Sequence, residues 1–142
     1  MTSPTTARSS NGRVAGRYAL AGHIVVWADG EIDLATAPEL RAALAEVVRV
    51  PECKVIVDLT EVTFMDSTGL NALVLGWRKA KAVNGELQLV GAGPMVRKVL
   101  RVTGLEQIFP VHSTIEECIG ESRVVPHIAT LAELPARARF LG

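Results

Sequence analysis

The apolar run from Cys53 to Leu59, CKVIVDL, constrains the fold of this chain more than any other segment. It is short and nearly continuous, with only Lys54 and Asp58 interrupting it. A strand of this kind buries both of its faces, which is typical of the centre of a parallel sheet with helices on either side. Parallel neighbours in a sheet need helical crossovers, so we expect helices before and after this run.

Both flanking segments carry helical patterns. A Thr-x-x-Glu capping box with proline in its first turn begins at Thr36, and apolar residues then recur at helical spacing as far as Val47. After the central strand, a second helix opens around Asp66 and ends at Asn84-Gly85. Its buried face is predicted to carry Leu70, Leu73, Val74 and Trp77, and its outer face Thr68, Asn71, Ala72, Leu75 and Lys79.

The remaining segments complete an alternation of strands and helices. Further strands are predicted at Arg17–Leu20 and His23–Ala28, joined at Ala21-Gly22 as a hairpin, and at Glu86–Val90 and Ile108–Val111. Helices are predicted at Met95–Thr103 and from Ile115 onward. The fold class is therefore α/β, with a mostly parallel central sheet, an N-terminal antiparallel hairpin strand and about four helices.

In such a sheet, functional groups collect at the carboxyl ends of the strands. Two segments have that position in the predicted order: Gly30 to Thr36, after the second strand, and Thr60 to Thr68, after the third. Functional residues are therefore expected in these two segments.

Composition excludes several classes of function. The chain has 142 residues, enough for one domain, and 15 basic residues balance 15 acidic ones, so it lacks the basic surface of a nucleic-acid-binding protein. Its longest apolar runs have four to six residues, whereas a membrane span needs about 20. Cys53 and Cys118 match no metal or disulfide spacing and are expected to be reduced thiols in a cytoplasmic protein.

Enzyme motifs and cofactor motifs are not found in the sequence. Ser67 lacks the G-x-S-x-G elbow of hydrolases, and none of the histidines, His23, His112 and His127, has an evident partnership with it. The sequence also lacks a phosphate-binding loop, an H-E-x-x-H motif and a cysteine pair at zinc spacing. We therefore expect a binding protein that is not an enzyme and uses no cofactor.

Ser67, just before the second predicted helix, allows two interpretations. As an N-cap, its hydroxyl would accept a backbone N–H group of the first turn. As a functional group, it would lie at the positive end of the helix, near Gly69, which we expect to leave the backbone open to the approach of a kinase.

Three further elements give this serine a family context. The run from Val55 to Leu70, which includes FMDSTGL, closely resembles the signature of anti-sigma factor antagonists of the STAS family. Gly30-Glu31-Ile32-Asp33 is similar to the family's G-E-[LI]-D element, and Gly104-Leu105 with Ile108-Phe109 is similar to its G-L-x-x-[IV]-F corner. The resemblance spans about residues 14 to 120, so we predict a leader at 1–13, a STAS domain at 14–120 and an extension at 121–142.

The resemblance implies a STAS-type fold and a partner-switching function. In that family, the serine that here is Ser67 is phosphorylated by an anti-sigma factor with serine kinase activity. The unphosphorylated protein binds the anti-sigma factor and frees the sigma factor, and the phosphorylated protein lets go until a phosphatase restores it. We expect Asp33, Asp66, Ser67, Thr68 and Leu75 to form the partner-binding surface.

Two alternatives remain open at this stage. A STAS domain can also serve as a subunit of a lipid-transport assembly or as a nucleotide-responsive signalling module without sigma-factor control. A serine hydrolase would be a different class of protein, but the sequence offers it neither a base nor an oxyanion element.

Overall fold

The computed structural model describes residues 13–124. Most of the predicted leader and most of the predicted extension, including His127, lie outside the described residues. The boundaries predicted at residues 13 and 120 therefore remain predictions, although Arg13 lies in the first strand and the last helix continues to Val124.

Within the described part of the chain, five strands form one sheet in sequence order. Strands β1 and β2 are antiparallel, and the other neighbours, β2–β3, β3–β4 and β4–β5, are parallel. The hairpin turn lies at Ala21-Gly22, as predicted, and Gly22 has a positive φ of 83°, which glycine adopts without strain. The strands are β1 Arg13–Leu20, β2 His23–Ile32, β3 Lys54–Met65, β4 Glu86–Val90 and β5 Val111–His112.

Helices cover both faces of this sheet. The first three contribute to one large apolar cluster on one face, while α4 packs on the other face through Cys118 and Ile119. The helices are α1 Ala37–Val47, α2 Ser67–Ala82, α3 Pro94–Val102 and α4 Ile115–Val124. The predicted α/β class, with a mostly parallel sheet and four helices, is confirmed.

Strand β3 is the buried centre that its composition predicts. Val55, Val57 and Leu59 belong to the large cluster, whereas Ile56 belongs to the smaller cluster under α4, and all four are fully buried. Because both faces of the strand are buried, apolar residues occupy consecutive positions instead of alternating with polar ones.

Two strands extend further than predicted. Strand β2 continues to Ile32 and β3 to Met65, so much of the two predicted loops is paired strand, with register irregularities between Trp27 and Asp29 and between Gly30 and Glu31. Strand β4 pairs with β3 only as far as Asp58. Beyond that point, the described pairing of β3 is with β2 alone, and many of its side chains there are exposed, which produces the polar pattern that resembles a loop.

The structure also differs from the prediction of a strand at Ile108–Val111. Gly104, at a positive φ of 80°, leads into a short 3₁₀ helix at Leu105–Gln107, and β5 contains only Val111 and His112. Phe109 is buried and meets Trp77 edge to face, with 6.5 Å between the ring centroids. The apolar residues of this segment thus pack in the core instead of pairing as a strand.

Candidate functional site

The candidate site lies where β2 and β3 end side by side. Ile32 and Met65 are the last paired residues of the two strands, and the N–H of Asp66 donates to the Ile32 carbonyl at 3.1 Å. Because the strands are parallel, the segments that follow them emerge at the same edge of the sheet. This geometry places the turn at Asp33 next to the first turn of α2.

Asp66 is the N-cap of helix α2. Its backbone is extended, and one carboxylate oxygen accepts the N–H groups of Thr68 at 2.9 Å and of Gly69 at 3.3 Å. The Thr68 hydroxyl donates to the same oxygen. These hydrogen bonds hold the pKa of Asp66 below its ordinary value, and the one from the Thr68 hydroxyl has the largest effect. Desolvation acts in the opposite direction and raises the pKa.

Ser67 is the first residue of α2 and its side chain is exposed. Its hydroxyl has no hydrogen-bond partner among the described residues. The interpretation of Ser67 as the N-cap was therefore wrong, because Asp66 fills that role one residue earlier. The consequence is a serine hydroxyl at a helix N-terminus that the fold does not use.

Gly69 holds the first turn of α2 against the ends of both strands. An added Cβ would lie 2.6 Å from the Cγ of Met65 and 2.9 Å from the Cγ2 of Ile32, closer than real contacts allow. The glycine is buried, so the expectation that it leaves the backbone open to a partner was wrong. Its missing side chain instead allows α2 to begin directly on the strand ends, which fixes the position of Ser67.

Asp33 organises the neighbouring turn. Its Oδ1 accepts the N–H groups of Ala35 at 3.0 Å and of Thr36 at 3.2 Å, the local role expected of an aspartate before a helix. The Thr36 hydroxyl accepts the N–H of Asp33 and donates to the carbonyl of Glu31, both at 2.8 Å. Thr36 therefore does not cap α1 with its side chain, and the predicted capping box is wrong in this respect.

Leu75 lies on the same side of α2 as Ser67, two turns further along. Residues 67, 71 and 75 are spaced by four, which aligns them along one face of a helix. Leu75 is half-buried and is not part of either core cluster. Ala72, predicted to point outward with Leu75, is fully buried, so that assignment was wrong.

The structure thus brings four of the five predicted contact residues together at one edge of the sheet: Asp33, Asp66, Ser67 and Thr68. Their role in partner binding remains a prediction, as does that of Leu75. Sequence reasoning missed two exposed apolar residues at this edge, Leu34 and Phe64. A leucine isolated among the small and polar residues of a predicted loop was the available signal for Leu34.

Other kinds of site find little support in residues 13–124. No cluster of His, Cys, Asp and Glu side chains in this range could hold a metal ion. No helix in the described range has the length and apolar character needed to span a bilayer. Cys53 and Cys118 are free and buried.

A five-stranded mixed sheet with the site at the ends of β2 and β3 defines the class of protein. The model of the STAS domain matches residues 18–118, and the chain belongs to this family. The anti-sigma-B factor antagonist of Listeria monocytogenes is 38% identical over 101 residues, which cover 70% of this chain and 88% of that protein.

Solved structures extend the comparison. A crystal structure of an anti-sigma factor antagonist from Mycobacterium paratuberculosis has a TM-score of 0.66 and 33% identity, covering 74% of this chain and 89% of that one. The unphosphorylated form of the anti-sigma factor antagonist SpoIIAA has a TM-score of 0.65 and 26% identity, covering 77% of this chain and 96% of that one. The phosphorylated form of this Bacillus cell fate determinant has a TM-score of 0.60.

Proposed function

We propose that this protein is an anti-sigma factor antagonist, whose binding to an anti-sigma factor with serine kinase activity is switched by phosphorylation of Ser67. The unphosphorylated form binds the anti-sigma factor and releases the sigma factor. The phosphorylated form dissociates, and a phosphatase returns it to the binding state. In this cycle the protein acts in the cytoplasm as a binding partner and not as an enzyme.

One observation carries the proposal: Ser67 is exposed at the start of a helix that Asp66 already caps. A phosphate there adds about −1.5 to −2 charges at neutral pH without removing a hydrogen bond that the fold uses. The helix N-terminus tolerates the anion, so we expect the fold to survive phosphorylation. The change is then confined to the surface that meets the partner.

The surroundings explain why a phosphate would prevent docking. Ser67 follows Asp66 directly and lies beside the turn formed by Asp33, and both of these carboxylates are only half-buried. A partner that docks on Ser67 must strip water from this edge. Adding a phosphate greatly raises the cost of that desolvation and repels any acidic group of the partner.

The remaining predicted contacts have distinct parts in this proposal. Thr68 and Asp66 bond to each other and hold Ser67 in place, so their contribution to binding is partly indirect. Asp33 offers a carboxylate to a basic group of the partner, and Leu75 extends the contact along α2.

The test uses the purified protein with each anti-sigma factor of the host that has serine kinase activity, together with Mg-ATP. Intact mass spectrometry should show one phosphate on the wild type and on Ser113→Ala, a control at another exposed serine. Ser67→Ala should gain none and should bind the kinase persistently. Ser67→Glu should melt like the wild type and bind at least about tenfold more weakly, unlike Ser113→Glu.

Two results would contradict the proposal. Phosphate on Ser67→Ala would place the modified residue elsewhere. Wild-type affinity in Ser67→Glu and in the protein phosphorylated at Ser67 would show that this residue does not control binding.

A further inference from the structure

Two large apolar side chains are exposed at the edge of the sheet that carries Ser67. Leu34 exposes 76% of its surface and Phe64 39%. Phe64 pairs with Glu31 in the β2–β3 ladder, one residue before the final pair. Leu34 follows β2 by two residues, as Ser67 follows β3 by two residues, so Leu34, Phe64 and Ser67 lie in the segments at the paired ends of these two strands. We call Leu34 and Phe64 the apolar pair.

The apolar pair is not part of the described core. Both residues lie outside the two clusters that make up the described core. Phe64 lies in the part of β3 beyond Asp58, where pairing with β4 has ended. Single exposed apolar residues are normal, and two beside a candidate switch residue indicate a contact surface only when their surroundings show what covers them.

The surrounding charges supply that indication. Residues 30–36 and 62–68, which form the ends of β2 and β3 and the turns that follow them, contain no lysine or arginine. They contain three carboxylates: Glu31, Asp33 and Asp66. An apolar pair with an acidic surround is complementary to a surface that has an apolar recess and basic residues at its rim.

We propose that Leu34 and Phe64 are the apolar anchors of the docking surface for the anti-sigma factor, and that this partner presents an apolar recess with a basic rim. The inference rests on the proposed function and adds which residues supply the affinity. Apolar anchors contribute most when the whole contact excludes water. A phosphate on Ser67, at the same strand ends, would keep water in the contact and weaken both anchors together.

The test measures the Kd of the unphosphorylated full-length chain for its anti-sigma factor, at low and at high salt. Leu34→Ser and Phe64→Thr are compared with Val102→Ser and Tyr18→Thr, whose wild-type residues are 74% and 42% exposed elsewhere on the domain. Each anchor variant should raise the Kd by about tenfold or more, and each control should stay within about twofold. Because Leu34 lies in an exposed turn, Leu34→Ser should keep the wild-type melting temperature and gives an answer even if Phe64→Thr is less stable.

The outcomes separate this inference from the proposed function. If Ser67→Glu weakens binding while Leu34→Ser and Phe64→Thr bind like the wild type, the inference is wrong and the proposed function stands. If the wild type binds no anti-sigma factor, both are wrong. If the wild type dimerises in sedimentation and the anchor variants are monomers with unchanged Kd, the apolar pair contacts a second copy of the chain instead. An affinity independent of salt would refute the basic rim.

Discussion

Asp66 and Ser67 are adjacent, but the structure gives only Asp66 a part in stability. Its carboxylate accepts two backbone N–H groups at the start of α2. Replacing such a cap by alanine costs about 1 kcal/mol, which lowers the melting temperature of a domain of this size by about 3–6 °C. Ser67→Ala removes no hydrogen bond among the described residues, so its melting temperature should stay within about 1 °C of the wild type.

Asp66→Asn is the matched control for the charge of the cap. Asparagine caps helices about as well as aspartate, so this variant should melt close to the wild type at neutral pH. The hydrogen bonds from Thr68 and the backbone lower the pKa of Asp66 below its ordinary value of 3.8. As the pH falls, the unfolded chain is protonated before the folded one, so the stabilisation by the ionised cap is present above that value and is lost through the lowered pKa.

Urea denaturation followed by circular dichroism measures both effects. The free energy of unfolding of the wild type relative to Asp66→Asn should be constant between about pH 5 and 8 and should fall below about pH 4. Equal losses for Ser67→Ala and Asp66→Ala at neutral pH would mean that Ser67 shares the cap. No loss for Asp66→Ala would mean that the cap contributes nothing, and the assignment would be wrong.

Two further predictions concern the edges of the docking surface. Asp33→Asn keeps an oxygen that can accept the N–H groups of the turn, so its melting temperature should stay within a few degrees of the wild type. Without the charge, association with the anti-sigma factor should slow and depend less on salt, as measured by stopped-flow or biolayer kinetics; an unchanged rate with a large loss of melting temperature would leave Asp33 a structural residue only. Leu75→Glu should weaken the complex without unfolding the domain, whereas Leu73→Glu places a charge at a fully buried position and should unfold it. Equal losses of melting temperature in both variants would show that Leu75 is part of the core.

The fold was predictable because its strands and helices have strong local patterns. The buried run at β3 and the spacing of apolar residues in α1 and α2 each indicate one type of element. These patterns did not determine where β2 and β3 end. The last residues of both strands lie beyond the end of β4 in the sheet, and they are as polar as a loop although they are paired. The pairing partner is a tertiary feature, and it set the strand boundaries.

The wrong assignments of Ser67 and Ala72 both depend on tertiary packing, which the local sequence does not show. Asp66 and Ser67 are both good N-cap residues, and which of them caps the helix depends on where β3 releases the chain. Ala72 has no large apolar side chain to mark it as buried, yet it lies one turn before Gly76, where an added Cβ would be 3.0 Å from the Cδ1 of Leu44 on α1. The buried arc of α2 is therefore wider than its row of large apolar residues, because α2 packs on α1 as well as on the sheet.

The position of Ser67, one residue inside the helix, has a consequence for the proposed switch. A serine that capped α2 would lose the acceptor geometry of its hydroxyl on phosphorylation, and the stability of the domain would change together with its affinity for the partner. Here Asp66 accepts the N–H groups of the first turn, so we expect phosphorylation of Ser67 to leave the cap of α2 in place. Under the proposed function, the free energy of the added charge would then act mainly on the complex, and the domain would cycle between partners without unfolding.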